Sequence, residues 1–288
     1  MIKGGSLWCL TRNQVVRILK RSPKVGSVLP NRLQSVIQKP RLTHARSENC
    51  QKKGDVEVLS KNRLHVYSSG AVALPIKKCA EKFKTKFGTD FEFTVGKAEV
   101  LITEIAKTKK GDVLTCGSEF ILDDAQLKEL VLKETRRSLG LRKSAILVQI
   151  GNPKKIRSIS DLAKEGTRVG ISTSGCLLGV WDDIASKARL TDQIRRNITD
   201  YADGCGELMA LINKKKVDAI IGWEAFKKLC MKTMEVVELP KELQVYRSTA
   251  IGVITFSKRK ELANRFIEFS VSESGKKMYR EYGWHHIA

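Results

Sequence analysis

Strands and helices alternate along this chain from Arg63 onwards, and this alternation constrains the fold more than any other feature of the sequence. Residues 64–67 form an apolar run typical of a buried strand. Apolar side chains then recur at helical spacing from residue 70 to residue 86, just before Gly88. Strands that alternate with helices need crossover connections, so the pattern predicts an α/β fold of mainly parallel sheets covered by helices on both faces.

The same alternation continues towards the C-terminus. We predict further strands over residues 91–95, 112–115, 145–149, 168–171, 217–222, 243–245 and 251–256. We predict further helices over residues 99–109, 160–164, 178–188, 206–214, 259–270 and 274–281.

Four short turns rich in Ser, Gly and Cys stand where predicted strands end and helices begin. They comprise residues 67–70, 115–118, 173–176 and 203–206. In open α/β sheets ligands bind outside the carboxyl ends of the strands. Small residues let backbone N–H groups at helix N-termini approach an anion closely. Such turns also serve simply to cap helices, so capping is the alternative interpretation of each turn taken alone.

Composition limits the class of protein without naming its ligand. The 288 residues are 42% hydrophobic, which is enough for packed cores, and the formal net charge is +22. A basic protein attracts anions of every kind, nucleic acid included, so the charge alone does not select a partner. Residues 1–60 carry 12 basic and 3 acidic side chains and show little periodicity. We therefore expect a basic, poorly ordered N-terminal segment.

The sequence lacks the features of an enzyme active site. It has no Gly-x-Ser-x-Gly elbow, no phosphate loop and no zinc-binding His-Glu-x-x-His motif. Of the four histidines, His65 lies within a predicted strand and is interpreted as structural, while the pair His285-His286 follows the last helix and is interpreted as a tail. We expect no catalysis and no cofactor.

Two sequence features bear on the cellular compartment. Neither an apolar run long enough to span a membrane nor a standard secretory signal is visible, so a cytoplasmic location stays open. The seven cysteines are odd in number and include no Cys-x-x-Cys pair, which argues against a disulfide framework and a zinc ribbon.

Several motifs, in this order and spacing, carry a resemblance to a known family. They are the run 145–156 (AILVQIGNPKKI), 160–162 (SDL), 179–183 (GVWDD), 196–198 (RNI), 246–249 (YRST), 272–275 (SESG) and 282–284 (YGW). Over about residues 63–284 the chain resembles ABC-transporter solute-binding proteins for molybdate, tungstate and sulfate. It is most similar to their accessory-colonization-factor branch.

The resemblance implies a two-lobed periplasmic-binding-protein type II fold with hinge strands between the lobes. Lobe one would comprise residues 61–142 plus 247–288, and lobe two residues 143–246. Each lobe would hold a mainly parallel sheet flanked by helices, and the lobes would close around the ligand.

The resemblance also implies ligand-binding residues at the turns. They are Ser68, Ser69, Lys97, Cys116, Gly117, Ser118, Ser174, Gly175, Cys176, Cys205, Gly206 and Trp223. Trp223 stands where molybdate binders place a tyrosine, so its indole N–H would replace the phenol as donor. Lys97 stands near a position where molybdate binders have a serine, and either supplies charge to the anion or is solvated.

The function implied is capture of a small oxyanion, such as molybdate, tungstate or sulfate, for an ABC importer. The expected protein is a monomer in the periplasm or at the cell surface. Its partner would be a membrane-embedded permease, with no stable nucleic-acid partner. One alternative is a ligand-sensing regulator with a nucleic-acid-binding N-terminus. Another is an adhesion or chemoreceptor accessory. A third is a soft-metal or organic-acid binder, with Cys116, Cys176 and Cys205 as thiol ligands.

Overall fold

The computed structural model describes residues 62–286. The predicted basic segment 1–60 lies outside these residues. Within them the chain forms nine strands and nine α-helices. The strands are β1 (Arg63–Ser69), β2 (Asp90–Gly96), β3 (Val113–Cys116), β4 (Arg137–Gln149), β5 (Val169–Ser172), β6 (Ile198–Ala202), β7 (Ala219–Trp223), β8 (Met234–Val237) and β9 (Tyr246–Val253).

The α-helices alternate with these strands, which confirms the pattern predicted from the sequence. They are α1 (Ala73–Phe87), α2 (Ala98–Thr108), α3 (Glu119–Leu127), α4 (Val180–Lys187), α5 (Thr191–Asn197), α6 (Cys205–Asn213), α7 (Phe226–Leu229), α8 (Lys260–Val271) and α9 (Glu273–Glu281). Single 3₁₀ turns at Gly70–Val72 and Gly175–Leu177 precede α1 and α4. The helix predicted over residues 160–164 is a 3₁₀ turn, Ile159–Ala163.

The strands form one sheet in the order β2-β1-β3-β9-β4-β7-β5-β6, with β8 also paired to β4. In the first half-sheet (β2, β1, β3, β9 and residues 137–143 of β4), β1 is parallel to both β2 and β3. In the second half-sheet (residues 144–149 of β4 with β7, β5, β6 and β8), β5 is parallel to both β6 and β7. Each half-sheet is therefore mixed. Three of its strands are parallel, as the sequence predicted, whereas β9 pairs antiparallel with β3 and β4, and β7 and β8 pair antiparallel with β4.

Strand β4 belongs to both half-sheets. Its first part pairs antiparallel with β9 as far as Lys143, and from Ser144 it pairs with β7. The lobe boundaries predicted at residues 142/143 and 246/247 fall within β4 and at the start of β9. The division into lobes itself stays a prediction.

One predicted strand is wrong. Residues 243–245 do not form a strand, because the 3₁₀ turn Lys241–Leu243 begins after Pro240. The fixed φ of proline favours the start of a helical turn. The chain enters β9 only at Tyr246, so Leu243 and Val245 are buried without forming a strand.

Helices pack against both half-sheets and bury a continuous apolar core. In the first, the ring of Phe83 on α1 lies 5.9 Å from Phe91 on β2 and 5.4 Å from Phe266 on α8. In the second, α6 packs across β5, β6 and β7. These contacts fix the positions of the strand ends, where the turns identified in the sequence lie.

The last described residues are part of the fold, so the interpretation of His285-His286 as a tail is wrong. Backbone hydrogen bonds of 2.7 and 2.8 Å join His285 to Leu141 on β4, and Trp284 is buried beside Tyr279. The structural interpretation of His65 is confirmed, since its Nε2 lies 2.8 Å from Thr94 Oγ1 on β2.

Candidate functional site

A cavity of about 470 Å³ lies at the carboxyl ends of the strands, between the two half-sheets. Its walls come from the turns after β1, β2 and β3 on one side, and after β5 and β6 on the other. This is the position that the α/β topology predicts for a ligand site.

Most of the predicted site residues meet in this cavity. Those lining it are Ser69, Lys97, Gly117, Ser174, Gly175, Cys176, Cys205 and Gly206. Ser68, Cys116, Ser118 and Trp223 are fully or almost fully buried and do not line it. Ser68 directs its hydroxyl to the backbone oxygen of Ser69, so consecutive serines point in different directions along β1.

Three helices begin at the cavity with vacant N-terminal N–H groups. The N-cap residues of α2, α3 and α6 are Lys97, Ser118 and Gly204. The first two make no side-chain capping bond, and glycine has no side chain to make one. The first N–H groups of a helix have no partner within the helix and carry a partial positive charge. An anion in the cavity would therefore face donors from both half-sheets.

Three hydroxyl groups at the ends of β1 and β3 are buried without a hydrogen-bond partner. They are Ser69 Oγ at the end of β1, Thr115 Oγ1 on β3 and Ser118 Oγ just after β3. A buried hydroxyl without a partner loses its hydrogen bonds to water and gains none in return. Only Ser69 of the three residues lines the cavity, so its hydroxyl is the one that a ligand in the cavity would contact.

Arg142 on β4 is a site residue that the sequence analysis missed. Its side chain is only 1% exposed, its Nη2 donates to the backbone oxygen of Gly117, and its Nε and Nη1 have no partner. The guanidinium lies over the rings of Trp223 and Trp284, at 4.8 and 5.7 Å from the ring centres. Among residues 62–286 no carboxylate forms an ion pair with it.

The signal that would have found Arg142 is a basic residue inside a strand that carries the chain between two sheets. Gly117 is the lining residue above this guanidinium, and a Cβ placed there would lie 2.8 Å from Arg142 Nη2 and 3.0 Å from Cys176 Sγ. Glycine therefore keeps the backbone close to the charge. A positive charge sits directly beneath the floor of the cavity.

Two cysteines from the second half-sheet meet in the cavity wall. The Sγ atoms of Cys176 and Cys205 lie 3.3 Å apart, and the indole N–H of Trp223 donates to Cys176 Sγ at 3.4 Å. The hydrogen bond from Cys205, together with Arg142 and Trp223, lowers the pKa of the Cys176 thiol to about 5 in spite of its burial. The same hydrogen bond and burial raise the pKa of Cys205 well above its ordinary value.

Trp223 and Cys116 therefore differ from what the sequence predicted. The N–H of Trp223 contacts a thiol and not the cavity. Cys116 is fully buried, and burial raises the pKa of its thiol to about 12. The part of the chain that the structure describes contains no group of three or more His, Cys, Asp or Glu side chains that would hold a metal ion. The three-cysteine metal site considered in the sequence analysis does not form there.

The mouth of the cavity carries charges of both signs. Lys97 from the first half-sheet forms an ion pair with Asp203 from the second, and Ser174 Oγ donates to Asp203 Oδ1 at 2.5 Å. This pairing raises the pKa of Lys97 and lowers that of Asp203. Glu99 and Glu207 also line the cavity. Lys97 thus lines the cavity as an exposed partner of Asp203, and its role towards a ligand stays a prediction.

A sheet in two halves joined by shared strands, with a cavity at the strand ends between them, is the architecture of the type II periplasmic binding proteins. The chain belongs to the bacterial extracellular solute-binding protein family, whose model matches residues 64–285. This family consists of binding proteins and not of enzymes. The resemblance drawn from the sequence is confirmed.

Several solved structures have the same fold. PEB3 of Campylobacter jejuni with bound L-phospholactate has a TM-score of 0.69 and 24% identity, covering 78% of this chain and 100% of PEB3. The periplasmic molybdate-binding protein of Azotobacter vinelandii gives 0.65 and 14%, covering 78% and 100%. The sulfate-binding protein SubI of Mycobacterium tuberculosis gives 0.66 and 17%, covering 78% and 87%. No curated protein sequence matches the chain.

Within residues 62–286, every helix is too short or too polar to cross a membrane.

Proposed function

We propose that this protein captures a small oxyanion in the cavity between its half-sheets and delivers it to an ABC permease. The observation that carries the proposal is the buried guanidinium of Arg142. Its Nε and Nη1 donors have no hydrogen-bond partner, and no carboxylate in the described chain pairs with it. A buried charge is costly unless an opposite charge and hydrogen bonds accompany it. An anion in the cavity supplies both.

The surrounding donors suit an oxyanion of tetrahedral shape. The cavity is lined by Ser69, whose hydroxyl has no partner, and by the N-terminal turns of α2, α3 and α6, whose first N–H groups have no side-chain cap. Charge-assisted hydrogen bonds from such donors are roughly twice as strong as neutral ones. Structural neighbours that bind molybdate and sulfate support the same ligand class.

Delivery to a permease and a location in the periplasm or at the cell surface follow from membership of an extracellular solute-binding family. A monomer is sufficient for this role, because both walls of the cavity come from one chain.

A small organic anion is a second candidate ligand, favoured by the size and lining of the cavity. A volume of about 470 Å³ lies in the range typical of organic ligands. Glu99 and Glu207 at the mouth are acceptors for ligand hydroxyl groups, which an inorganic oxyanion such as sulfate lacks. The structure of PEB3 with L-phospholactate supports this candidate.

Calorimetric titration tests the proposal. The full-length protein is refolded to remove carried ligand and titrated with molybdate, tungstate, sulfate, phosphate and L-phospholactate. We expect saturable binding of at least one of these anions. A protein that binds none of them contradicts the proposal, and the pattern of affinities separates inorganic oxyanions from the organic acid.

The variant Ser69→Ala removes one unpaired hydroxyl from the lining. We expect its affinity for the bound anion to fall by about tenfold, the effect of losing one hydrogen bond to a charged group. Ser270→Ala is the control, because the Ser270 hydroxyl is also buried but donates to the backbone oxygen of Phe266 on α8. Equal affinities of the two variants would count against a role of Ser69 in the site.

A further inference from the structure

The pair Cys176 and Cys205 has an arrangement that ligand binding alone does not require. The two residues are 29 positions apart in sequence, one in the 3₁₀ turn before α4 and the other at the first position of α6. Their Sγ atoms are 3.3 Å apart, and both residues line the cavity. A small reagent that enters the cavity therefore meets both residues in its wall.

The other described cysteines lack this combination of pairing and access. Cys79 and Cys116 are completely buried, and burial raises the pKa of each thiol to about 12. Cys230 is partly exposed after α7, where its Sγ lies 4.0 Å from Met209 Sδ. In the part of the chain that the structure describes, Cys176 and Cys205 are the only cysteines whose thiols contact each other and also lie near a positive charge, that of Arg142.

We propose that Cys176 and Cys205 form a reversible disulfide in the cavity wall, and that this disulfide raises the affinity of the cavity for anions. The second part rests on the anion-binding function proposed above.

The chemistry needs an oxidant, for which a small-molecule disulfide such as oxidised glutathione suffices. The Cys176 thiolate attacks one sulfur of the oxidant, a mixed disulfide forms, and one thiolate leaves. The Cys205 thiol then loses its proton and attacks the Cys176 sulfur, which releases the second thiolate. Two protein thiols become one disulfide, and the oxidant gains two electrons to become two thiols or thiolates.

Nucleophilic character at Cys176 follows from its neighbours. It receives hydrogen bonds from Cys205 and from the indole of Trp223, and Arg142 adds a positive charge. These groups stabilise the thiolate, which is the attacking form. Cys205 retains its proton in the reduced state and acts as the second, resolving thiol.

Anion affinity changes because the disulfide would join two turns that both line the cavity. Cys176 lies in the 3₁₀ turn Gly175–Leu177 after β5, and Cys205 begins α6 after β6. A covalent link between them would hold the N–H groups of both turns in one arrangement, so less conformational freedom is lost when an anion binds.

Peptide mapping of the full-length protein tests the disulfide. The protein is equilibrated with oxidised and reduced glutathione, free thiols are alkylated, and the digest is analysed by mass spectrometry. We expect a Cys176–Cys205 linked peptide that disappears after dithiothreitol treatment and is missing from Cys205→Ala. Cys230→Ala is the control and should retain it. Absence of the linked peptide from the oxidised wild-type protein overturns the proposal.

Titration of both redox forms with sulfate, molybdate and L-phospholactate tests the effect on affinity. We expect the oxidised form to bind its anion about tenfold more tightly, a factor that corresponds to about 1.4 kcal/mol and is comparable to the cost of ordering one side chain. Cys205→Ala, which cannot form the disulfide, should bind the anion equally under oxidising and reducing conditions. A linked peptide with unchanged affinity overturns the regulatory part. Failure of both forms to bind any anion contradicts the proposed function, whereas the mapping decides the disulfide independently.

Discussion

Arg142 shows how a single residue can trade stability for binding. A guanidinium that is 1% exposed with Nε and Nη1 unpaired has lost its hydration without full compensation. Its place on β4, the strand shared by both half-sheets, holds it at the floor of the cavity whatever the positions of the walls. In the function proposed above, an anion that pairs with Arg142 would offset this unfavourable burial, which would thereby contribute to the affinity.

We predict that Arg142→Met separates stability from binding. Methionine keeps the packing against Trp223 and Trp284 without a buried charge, so the free energy of unfolding should stay equal or rise. Anion affinity should fall by about a hundredfold or more, as expected when one partner of a buried charge pair is removed. Urea unfolding and calorimetry measure the two quantities.

Arg168→Met serves as the control with the opposite outcome. Arg168 precedes β5, at the opposite end of this strand from the cavity. It forms an ion pair with the buried Asp218, with 2.8 Å between Nη2 and Oδ1. Its loss should lower the free energy of unfolding and leave anion affinity unchanged. An Arg142→Met protein that is destabilised but binds normally would contradict our assignment.

A second residue-scale prediction concerns pH. Asp161 accepts hydrogen bonds from the Lys164 side chain and from the backbone N–H groups of Arg157 and Ser158, which lowers its pKa from 3.8 to about 2. A lowered carboxyl pKa stabilises the folded state above the unfolded-state pKa. This contribution is lost as pH falls through the folded-state value.

Asp161→Asn should therefore lower the free energy of unfolding at neutral pH by about 1 kcal/mol, the typical value of a capping interaction. The difference from the wild type should shrink between about pH 4 and pH 2, the window set by these pKa values. Asp192→Asn, an exposed acidic residue in the first turn of α5, is the control. A difference that is independent of pH would refute the cause assigned here.

At the scale of elements, β4 and β9 determine the architecture. Pairing of β4 with β9 is interrupted by a bulge between Ser138 and Leu141, where Gly140 has a φ of 113°. A Cβ at Gly140 would lie 2.8 Å from the ring of His286 and 3.1 Å from the backbone oxygen of His285. The bulge therefore fixes how the C-terminal residues lie against β4.

We predict that Gly140→Ala lowers the free energy of unfolding by about 3 kcal/mol, through backbone strain together with overpacking. Gly166→Ala isolates the first cause, since Gly166 also has a positive φ, of 75°, but has no atom within 4 Å of its Cβ position. It should lose only about 1 kcal/mol. Equal losses in the two variants, measured by urea unfolding, would show that the contact with His286 is unimportant.

Much of this architecture is predictable from the sequence, because buried strands such as β1, β3 and β7 are short apolar runs and the turns after them are rich in small residues. The first part of β4, residues 137–143, was missed because Arg, Ser and Gly interrupt its apolar pattern. One of these interrupting residues is Arg142, the buried cation beneath the cavity floor. Helix α3, the pair α5 and β6, and strand β8 were also not predicted, since each is short and has mixed polarity.

The position of the candidate site was predictable from the sequence, but the directions of its side chains were not. Turn composition locates Ser69, Gly117 and Ser174, because topology alone brings strand ends together. Side-chain direction is not encoded in composition. Neither the burial of Ser118 nor the contact of the Trp223 N–H with a thiol follows from their positions in the chain.

At the scale of the whole molecule, the ion pair between Lys97 and Asp203 connects the two half-sheets across the cavity mouth. Both side chains are more than half exposed, so solvent and salt screen their attraction. Such a pair contributes little to stability, but its cation lies on the entry path of an anion.

We predict that Lys97→Met leaves the melting temperature nearly unchanged and slows anion association several-fold at low ionic strength, as rim charges act mainly on association rates. The difference should diminish in high salt. Stopped-flow measurements of binding would test this, with Lys78→Met on α1 as control, because Lys78 is also an exposed, ion-paired lysine. Slower association in the control as well would indicate an effect of net charge alone.

The contacts of β9 and of His285 with β4 have a consequence for folding. Every strand of the second half-sheet comes from the continuous stretch from β4 to β8, so this half-sheet can form from one contiguous segment. The first half-sheet instead joins β1, β2 and β3 to β9 and α8, which are separated from them in sequence by the whole second half-sheet. Because pairing of distant segments costs more loop-closure entropy, we expect the second half-sheet to form first and the N-terminal strands to be completed when β9 joins them.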